Sequence, residues 1–375
     1  MKIIRLFVGI TVVIFFFPVY AQKPVRWEAG FPLSYSWAHH NYMNHLTGRI
    51  CPAVQVAFSG IPDPVKHAWV SRYNFPETGI SLIVQDLGYA ELGRIYALLF
   101  HYTFFLNRRD ANWLWSLRFG NGAGWNTRPY DKVSNPKNII FGSHVLYAFQ
   151  LSLRVRYRFD GVPLSIEGGP GLFHYSNGGT KPPNSGLNLP GIQIALIYGK
   201  GMFDGRGKRF VRHDTLKKNV YPGYWNFFAR LGFNEADVPG IGLRPSYTLG
   251  FSREWHPSYK NIYFTGVEVM FTRSLQAYLE YLDIAYNAYG GHPPDYKRIA
   301  LLGGYRMYMD KTVMGAGVGM YVYNPSGKEA PFYIRLSFQR QLTPHWHVSV
   351  SLKTHYFFAE IIDMGLHYHF FKAKK

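Results

Sequence analysis

Cysteine is almost absent from this sequence. The 375 residues contain one, Cys51, so no disulfide can form within the chain. Acidic residues are also scarce, with 22 Asp and Glu against 41 Lys and Arg, which gives a formal net charge of +19. A charge of this size favours an anionic partner, which could be nucleic acid, an anionic membrane surface or an acidic substrate.

Long apolar runs are confined to the N-terminus. Lys2 and Arg5 precede an apolar stretch over 6–19, and small residues lead up to Ala21. This order predicts a signal peptide over 1–21. The stretch is shorter than the roughly 20 residues of a spanning helix, and no later run predicts such a helix. Export argues against nucleic acid as the partner and favours an anionic lipid surface.

Aromatic residues are abundant, at 18% of the chain with 29 Tyr and 29 Phe, and they alternate with polar residues. Over 143–160 the apolar residues occupy the odd positions, while Arg154, Arg156 and Arg158 occupy even ones. This two-residue period is that of a β-strand. The same alternation recurs at 94–106, 112–120, 224–234, 245–256, 261–275, 297–310, 313–323, 332–339, 346–356 and 361–371.

Two architectures produce such alternation: a soluble β-sandwich with its apolar faces inside, and a membrane barrel with its apolar face toward lipid. Strands of about 9–15 residues, arginine-rich polar faces and aromatic residues at strand ends favour the barrel. We therefore predict an all-β, transmembrane antiparallel β-barrel of about 14 strands (12–16). It forms a single domain over 22–375, with long loops at 121–142 and 276–296. The pattern is weakest over 22–75 and 201–223.

One stretch, 171–188, interrupts the pattern with polar residues. His174 and Ser176 occupy even positions, as do the apolar residues of 162–172, so both are expected on the lipid-facing side. Asn188 shares the parity of the apolar residues of the next segment. A hairpin closing over 177–187 would bring Asn188 beside His174, provided that the run of glycines at 168–171 forms no bulge.

These residue types can perform nucleophilic catalysis. Residues i and i+2 share one face of a strand, so His174 can accept the proton of the Ser176 hydroxyl. Asn188 can hydrogen-bond the other imidazole nitrogen and hold the tautomer. Asn177 and the backbone N–H of Gly178 could stabilise an oxyanion. A short turn before this strand and a longer loop after it place the site at the outer leaflet. An ordinary polar loop tip is the alternative interpretation.

The stretch "FHYSNGGTKPPNSGLN" resembles the lipid A 3-O-deacylase (PagL-like) family, also described as acyloxyacyl hydrolases. The family pattern, His-x-Ser-Asn followed by Asn-x-Gly-Leu, falls here on His174, Ser176 and Asn177, then Asn184, Gly186 and Leu187. The resemblance implies an outer-membrane esterase that removes an acyl chain from lipid A (lipopolysaccharide), with His174 as base, Ser176 as nucleophile and no metal or cofactor. It covers roughly 60–200, including the early run "HAWVSRYNFPETGISL".

The sequence departs from this family at one position. The best-studied members have a glutamate where this chain has Asn188, so the acidic member of the triad is missing. Glu167 is near in sequence, but its parity directs it into the barrel. Two other functions stay open: a non-catalytic, porin-like barrel whose lumen arginines suit anion passage, and a soluble secreted β-protein. The histidines at 39–40, and His367 with His369 on a lumen face, predict no metal site.

Overall fold

The computed structural model describes residues 21–37, 41–199, 221–238, 240–356 and 358–370. The predicted signal peptide, apart from Ala21, lies outside these residues, as do His39, His40 and most of 201–223. The described chain falls into two compact units. Each unit is a closed antiparallel barrel of eight strands.

The first barrel closes when its first strand pairs with its eighth. Trp27 lies opposite Tyr198, and Ser34 lies opposite Gly191. The strands are β1 (Ala21–Tyr35), β2 (Ile50–Pro62), β3 (Glu77–Asp86), β4 (Arg94–Phe105), β5 (Trp113–Asn126), β6 (Val145–Arg158), β7 (Leu164–Ser176) and β8 (Leu187–Tyr198).

The second barrel closes in the same way, through pairing of its last and first strands. Phe370 lies opposite Trp225, and Asp363 lies opposite Gly232. The strands are β9 (Tyr221–Asn234), β10 (Arg244–His256), β11 (Asn261–Thr272), β12 (Lys297–Met309), β13 (Thr312–Tyr323), β14 (Phe332–Gln341), β15 (Trp346–His355) and β16 (Phe358–Phe370).

The all-β prediction is confirmed, but the prediction of one barrel of about 14 strands over 22–375 is wrong. The described chain forms two barrels of eight strands each. Alternation identifies which residues share a face of a strand, but it carries no information about which distant strands pair to close a barrel. The segment 22–75, where the pattern was weakest, contributes β1 and β2.

Apolar side chains cover the outer surface of both barrels. On β8, Ile192, Ile194 and Tyr198 are each more than half exposed, while Ala195 and Ile197 between them are buried. Alternating exposed residues in the second barrel include Tyr247, Leu249 and Phe251 on β10. The apolar face therefore points outward, as in membrane barrels and unlike soluble sandwiches.

The interior of the first barrel has an apolar part and a charged part. The apolar cluster includes Met43 and Leu46 from a 3-10 helix (Asn41–Leu46), Ile140 and Phe141 from the β5–β6 loop, and inward residues of the strands. In the charged part, buried glutamates bind buried arginines: Glu28 with Arg118 and Arg154, Glu77 with Arg26, Arg109 and Arg156, and Glu167 with Arg154 and Arg156.

Ion pairs also fill the interior of the second barrel. Its buried pairs are Glu268 with Arg230 and Arg335, Asp363 with Arg335, Glu254 with Arg306, and Glu360 with Arg298 and Lys353. His367 and His369 are buried on this inner face, as their alternation predicted. A buried charge is tolerated when a partner and further hydrogen bonds compensate its lost hydration.

Among the residues that the structure describes, two α-helices lie in the connections between strands. Helix α1 (Ala68–Arg72) lies between β2 and β3, and α2 (Arg273–Tyr286) follows β11 directly. The strand predicted over 261–275 therefore ends at Thr272, and half of the predicted loop at 276–296 is helical. Leu275 and Leu279 are buried at the i, i+4 spacing of one helix face. Within the described residues, no helix has the length and apolar character needed to cross a membrane.

Candidate active site

The strand that carries His174 and Ser176 pairs without interruption. From Leu164 to Tyr175, β7 keeps one register against β8, and its pairing with β6 shows no register shift. The bulge that could have reversed the parity of this strand is therefore not formed. His174 shares its face with Leu164 and Ile166, which are 39% and 40% exposed. His174 therefore has the predicted outward parity. Ser176, which was predicted on the same lipid-facing side, is instead buried, with 1% of its surface exposed.

The residues on either side of His174 point inward and fix the strand. Phe173 and Tyr175 are buried in the apolar cluster of the first barrel, together with Leu187 and Leu189 of β8. Packing of these inward side chains holds both strands of the hairpin in register. The polar residues of the outer face are therefore carried by a backbone that the core positions.

His174 and Asn188 lie directly opposite each other across the β7–β8 hairpin. The His174 Nδ1 to Asn188 Oδ1 distance is 2.8 Å. Because an amide oxygen only accepts, Nδ1 carries the proton and donates, which leaves Nε2 as the acceptor. This is the tautomer that a general base needs. The backbone of Asn188 is held as well, since its carbonyl accepts a 3.1 Å hydrogen bond from the Trp37 N–H.

Ser176 is buried and its hydroxyl is free. The side chain lies at the end of β7 with 1% of its surface exposed. Among the described residues, no group hydrogen-bonds to the Ser176 Oγ. A buried hydroxyl without a partner costs free energy. The interior hydroxyls of Ser116 and Ser152 are unpaired as well, so it is the position of Ser176 beside His174 that distinguishes it.

Gly186 makes close contact with both side chains, a feature that the sequence alone did not reveal. A Cβ at this position would lie 3.2 Å from the His174 Cε1 and 3.4 Å from the Ser176 Cβ. Gly186 also has a φ of +68°, in the left-handed region that favours glycine. The imidazole and the serine therefore border the same small space, and glycine keeps that space open.

The loop that carries Gly186 is tied to the β5–β6 loop. The Ser185 hydroxyl donates to the Ile139 carbonyl at 3.1 Å. The Asn138 side chain accepts from the N–H groups of Ile140 and Phe141 at 3.0 Å each, and Ile140 and Phe141 belong to the apolar cluster. A chain of contacts thus connects the barrel core to the backbone beside the candidate nucleophile.

The residues predicted to form an oxyanion site lie directly after Ser176. Asn177 is buried. Gly178 has a φ of +65°. Their role stays a prediction.

Metal-binding groups and a carboxylate near His174 were sought among the described residues. In the part of the chain that the structure describes, no group of three or more His, Cys, Asp or Glu side chains could hold a metal ion. Glu167, the nearest acidic residue in sequence, lies inside the barrel in ion pairs with Arg154 and Arg156. It therefore does not replace the missing carboxylate on the outer face.

Fold and site together define a β-barrel protein with a histidine, a serine and an orienting asparagine at the end of one hairpin. Residues 56–196 match the family model described as lipid A 3-O-deacylase (PagL), and residues 223–373 match the model described as acyloxyacyl hydrolase, C-terminal domain. The chain belongs to this lipid A deacylase and acyloxyacyl hydrolase family. The resemblance inferred from the His-x-Ser-Asn stretch is confirmed, and membership supports a hydrolase activity.

The two family matches fall on different barrels. The first match covers most of β2 to β8, including the hairpin with the candidate site, and the second covers most of β9 to β16. No curated protein matches the chain. Similar solved structures include two mutants of the Rhodopseudomonas blastica porin. Each is 11% identical over 92% of this chain and 99% of that chain, with a TM-score of 0.21, and a likeness this low carries no argument.

Proposed function

We propose that this protein is an outer-membrane serine esterase that removes an ester-linked acyl chain from lipid A. The observation that carries the proposal is the 2.8 Å hydrogen bond from the His174 Nδ1 to the Asn188 Oδ1, on a hairpin that also holds Ser176 unpaired. The substrate class is proposed from the family, and the geometry of the hairpin supports the proposed residue roles.

The proposed reaction is acyl transfer through the serine. The Ser176 Oγ attacks the carbonyl carbon of the ester while the His174 Nε2 takes its proton. The tetrahedral intermediate collapses when His174 gives the proton to the alcohol oxygen of the ester, which leaves, and the acyl chain stays on Ser176. Water, deprotonated by His174, then attacks the acyl-enzyme. The bond from the acyl carbon to the Ser176 Oγ breaks, His174 returns the proton to that Oγ, and the fatty acid leaves. Asn188 keeps the imidazole in the tautomer that both steps require.

The exposed apolar side chains support a location in a membrane. Trp37, beside Asn188, is 47% exposed, and Ile192 and Ile194 on the same hairpin are 61% and 56% exposed. Acyl chains of a membrane lipid would cover the exposed half of each side chain and stabilise it by roughly 1 kcal/mol relative to water. A substrate that is itself a membrane lipid could then reach the site sideways, without leaving the bilayer.

Purified protein in detergent micelles tests the proposal. We expect wild type to release free fatty acid from lipid A and to react with a fluorophosphonate probe at Ser176. Ser176→Ala should abolish labelling and lower the rate by at least about 1,000-fold, and His174→Ala should do nearly the same. Ser165→Ala, a serine on the same strand near its other end, is the matched control and should keep full activity. A Ser176→Ala protein with wild-type activity would refute the proposed nucleophile.

A further inference from the structure

The outer surface beside the candidate site carries two more polar residues. Ser176 lies opposite Tyr147 of β6, and His174 lies opposite Phe149 of the same strand. Phe149 in turn lies opposite Asn121 of β5. Tyr147 is therefore the neighbour of Ser176 on β6. Asn121 is in line with His174 on β5, one strand further away.

The orientation of these residues follows from an unbroken register. The pairing of β5 with β6 runs from Trp113 to Trp125 without a shift. Along β5, Ser116 and Arg118 are buried in the interior, whereas Trp115 and Leu117 are 48% and 38% exposed. Asn121 occupies an odd position, as Trp115 and Leu117 do, so its side chain is on the outer face. A polar side chain at this place is unusual, because the outer face of a membrane barrel is otherwise apolar.

Neither polar group is satisfied within the described part of the protein. Asn121 is only 7% exposed, and no described residue forms a hydrogen bond with its amide or with the Tyr147 hydroxyl. On a face turned to lipid, an amide without a partner costs free energy that a bound ligand could recover. Directly opposed side chains on neighbouring strands have Cβ atoms about 5 Å apart, so Tyr147 adjoins Ser176. Asn121 lies two strands from His174, at about 10 Å.

We propose that Tyr147 and Asn121 recognise the polar part of an acylated glycolipid whose ester is presented to Ser176. The proposal rests on the proposed esterase function and adds a recognition site to it. A phenol can donate to or accept from a sugar hydroxyl, and a carboxamide pairs with the amide or hydroxyl groups that an acylated amino sugar carries near its esters. A simple fatty-acid ester has none of these groups.

The test compares two substrates in Tyr147→Phe and Asn121→Leu proteins, which keep the shape of each side chain. Hydrolysis of lipid A should fall about fivefold in each single variant and further in the double variant, mainly through a higher KM. Hydrolysis of a p-nitrophenyl fatty-acid ester should stay within twofold of wild type. Tyr157→Phe is the matched control, ten residues along β6 on the same face, and should leave both rates unchanged.

Binding to inactive protein separates this proposal from the esterase function. In a Ser176→Ala background, Asn121→Leu and Tyr147→Phe should each weaken binding of lipid A in micelles about fivefold, whether or not the parent hydrolyses it. If wild type shows no esterase activity but the variants still bind lipid A more weakly, only the proposed esterase function is refuted. Unchanged lipid A binding and hydrolysis would overturn the recognition site. Equal losses on both substrates would also overturn it, because the residues would then support the catalytic geometry instead.

Discussion

At the scale of single residues, Asn188 decides how strong a base His174 can become. Its amide oxygen orients the imidazole at 2.8 Å, but it has no negative charge to stabilise the imidazolium that forms during attack. The effect of orienting the imidazole can therefore be measured apart from the effect of a negative charge beside it, because Asn188 orients the imidazole but has no charge.

Two substitutions at Asn188 measure these contributions. Asn188→Leu removes the acceptor, so we expect kcat to fall roughly 100-fold. Asn188→Glu restores a carboxylate and should raise kcat about tenfold, since charge-assisted hydrogen bonds are stronger than neutral ones. Steady-state kinetics on a soluble fatty-acid ester gives both numbers. A Leu variant as active as wild type would mean that Asn188 does not orient the histidine.

Gly186 offers a second test at the same scale. In Gly186→Ala the new methyl would meet the His174 Cε1 and the Ser176 Cβ at 3.2 and 3.4 Å, and we expect kcat to fall about 100-fold through displaced geometry. Gly161→Ala is the matched control. Gly161 also has a positive φ, +79°, but its Cβ would meet nothing within 4 Å. If Gly186→Ala and Gly161→Ala lose activity equally, the loss comes from an alanine at positive φ and not from the contact of the new methyl with His174 and Ser176.

At the scale of elements, the register of the strands carries the site. Parity along β7 and β8 was sufficient to predict that His174 and Asn188 share a face, since both strands pair without a bulge. The contact of Gly186 could not be predicted in this way, because a loop backbone follows no period. Helix α2 was missed for a different reason: its buried Leu275 and Leu279 are too few to distinguish a short helix from a loop.

The charged interior of the first barrel should contribute strongly to its stability. Glu167 is fully buried and pairs with Arg154 and Arg156, so Glu167→Gln leaves two buried cations undercompensated. We expect a loss of about 3 kcal/mol in the free energy of unfolding, measured by urea denaturation in micelles. Asp110→Asn removes one carboxylate from an exposed pair with Arg108 and should change little. Equal stability of both variants would contradict the role of the network.

At the scale of the whole molecule, alternation predicted the fold class and missed the number of barrels. Closure of the first barrel depends on β1 meeting β8, which lie far apart in sequence. The segment that joins β8 to β9 shows little alternation. A lack of alternation does not distinguish a connection between two barrels from a long loop within one barrel.

The filled interiors argue against passage of ions. Arg154 and Arg156, which a channel would need to expose, are 1% exposed and held by glutamates. We expect no porin-like conductance when the purified protein is added to a planar lipid bilayer, with a solved porin as positive control. Stepwise current increases of porin size, absent from a mock preparation, would favour the channel function.

The lipid A of living cells shows whether this chain is a deacylase that acts through Ser176, as we propose. Gram-negative cells producing wild type should yield lipid A, analysed by mass spectrometry, that lacks one ester-linked acyl chain. Cells producing Ser176→Ala at the same level should retain every chain. Identical spectra from both strains and the empty-vector control, with the protein present in the outer membrane, would contradict the account.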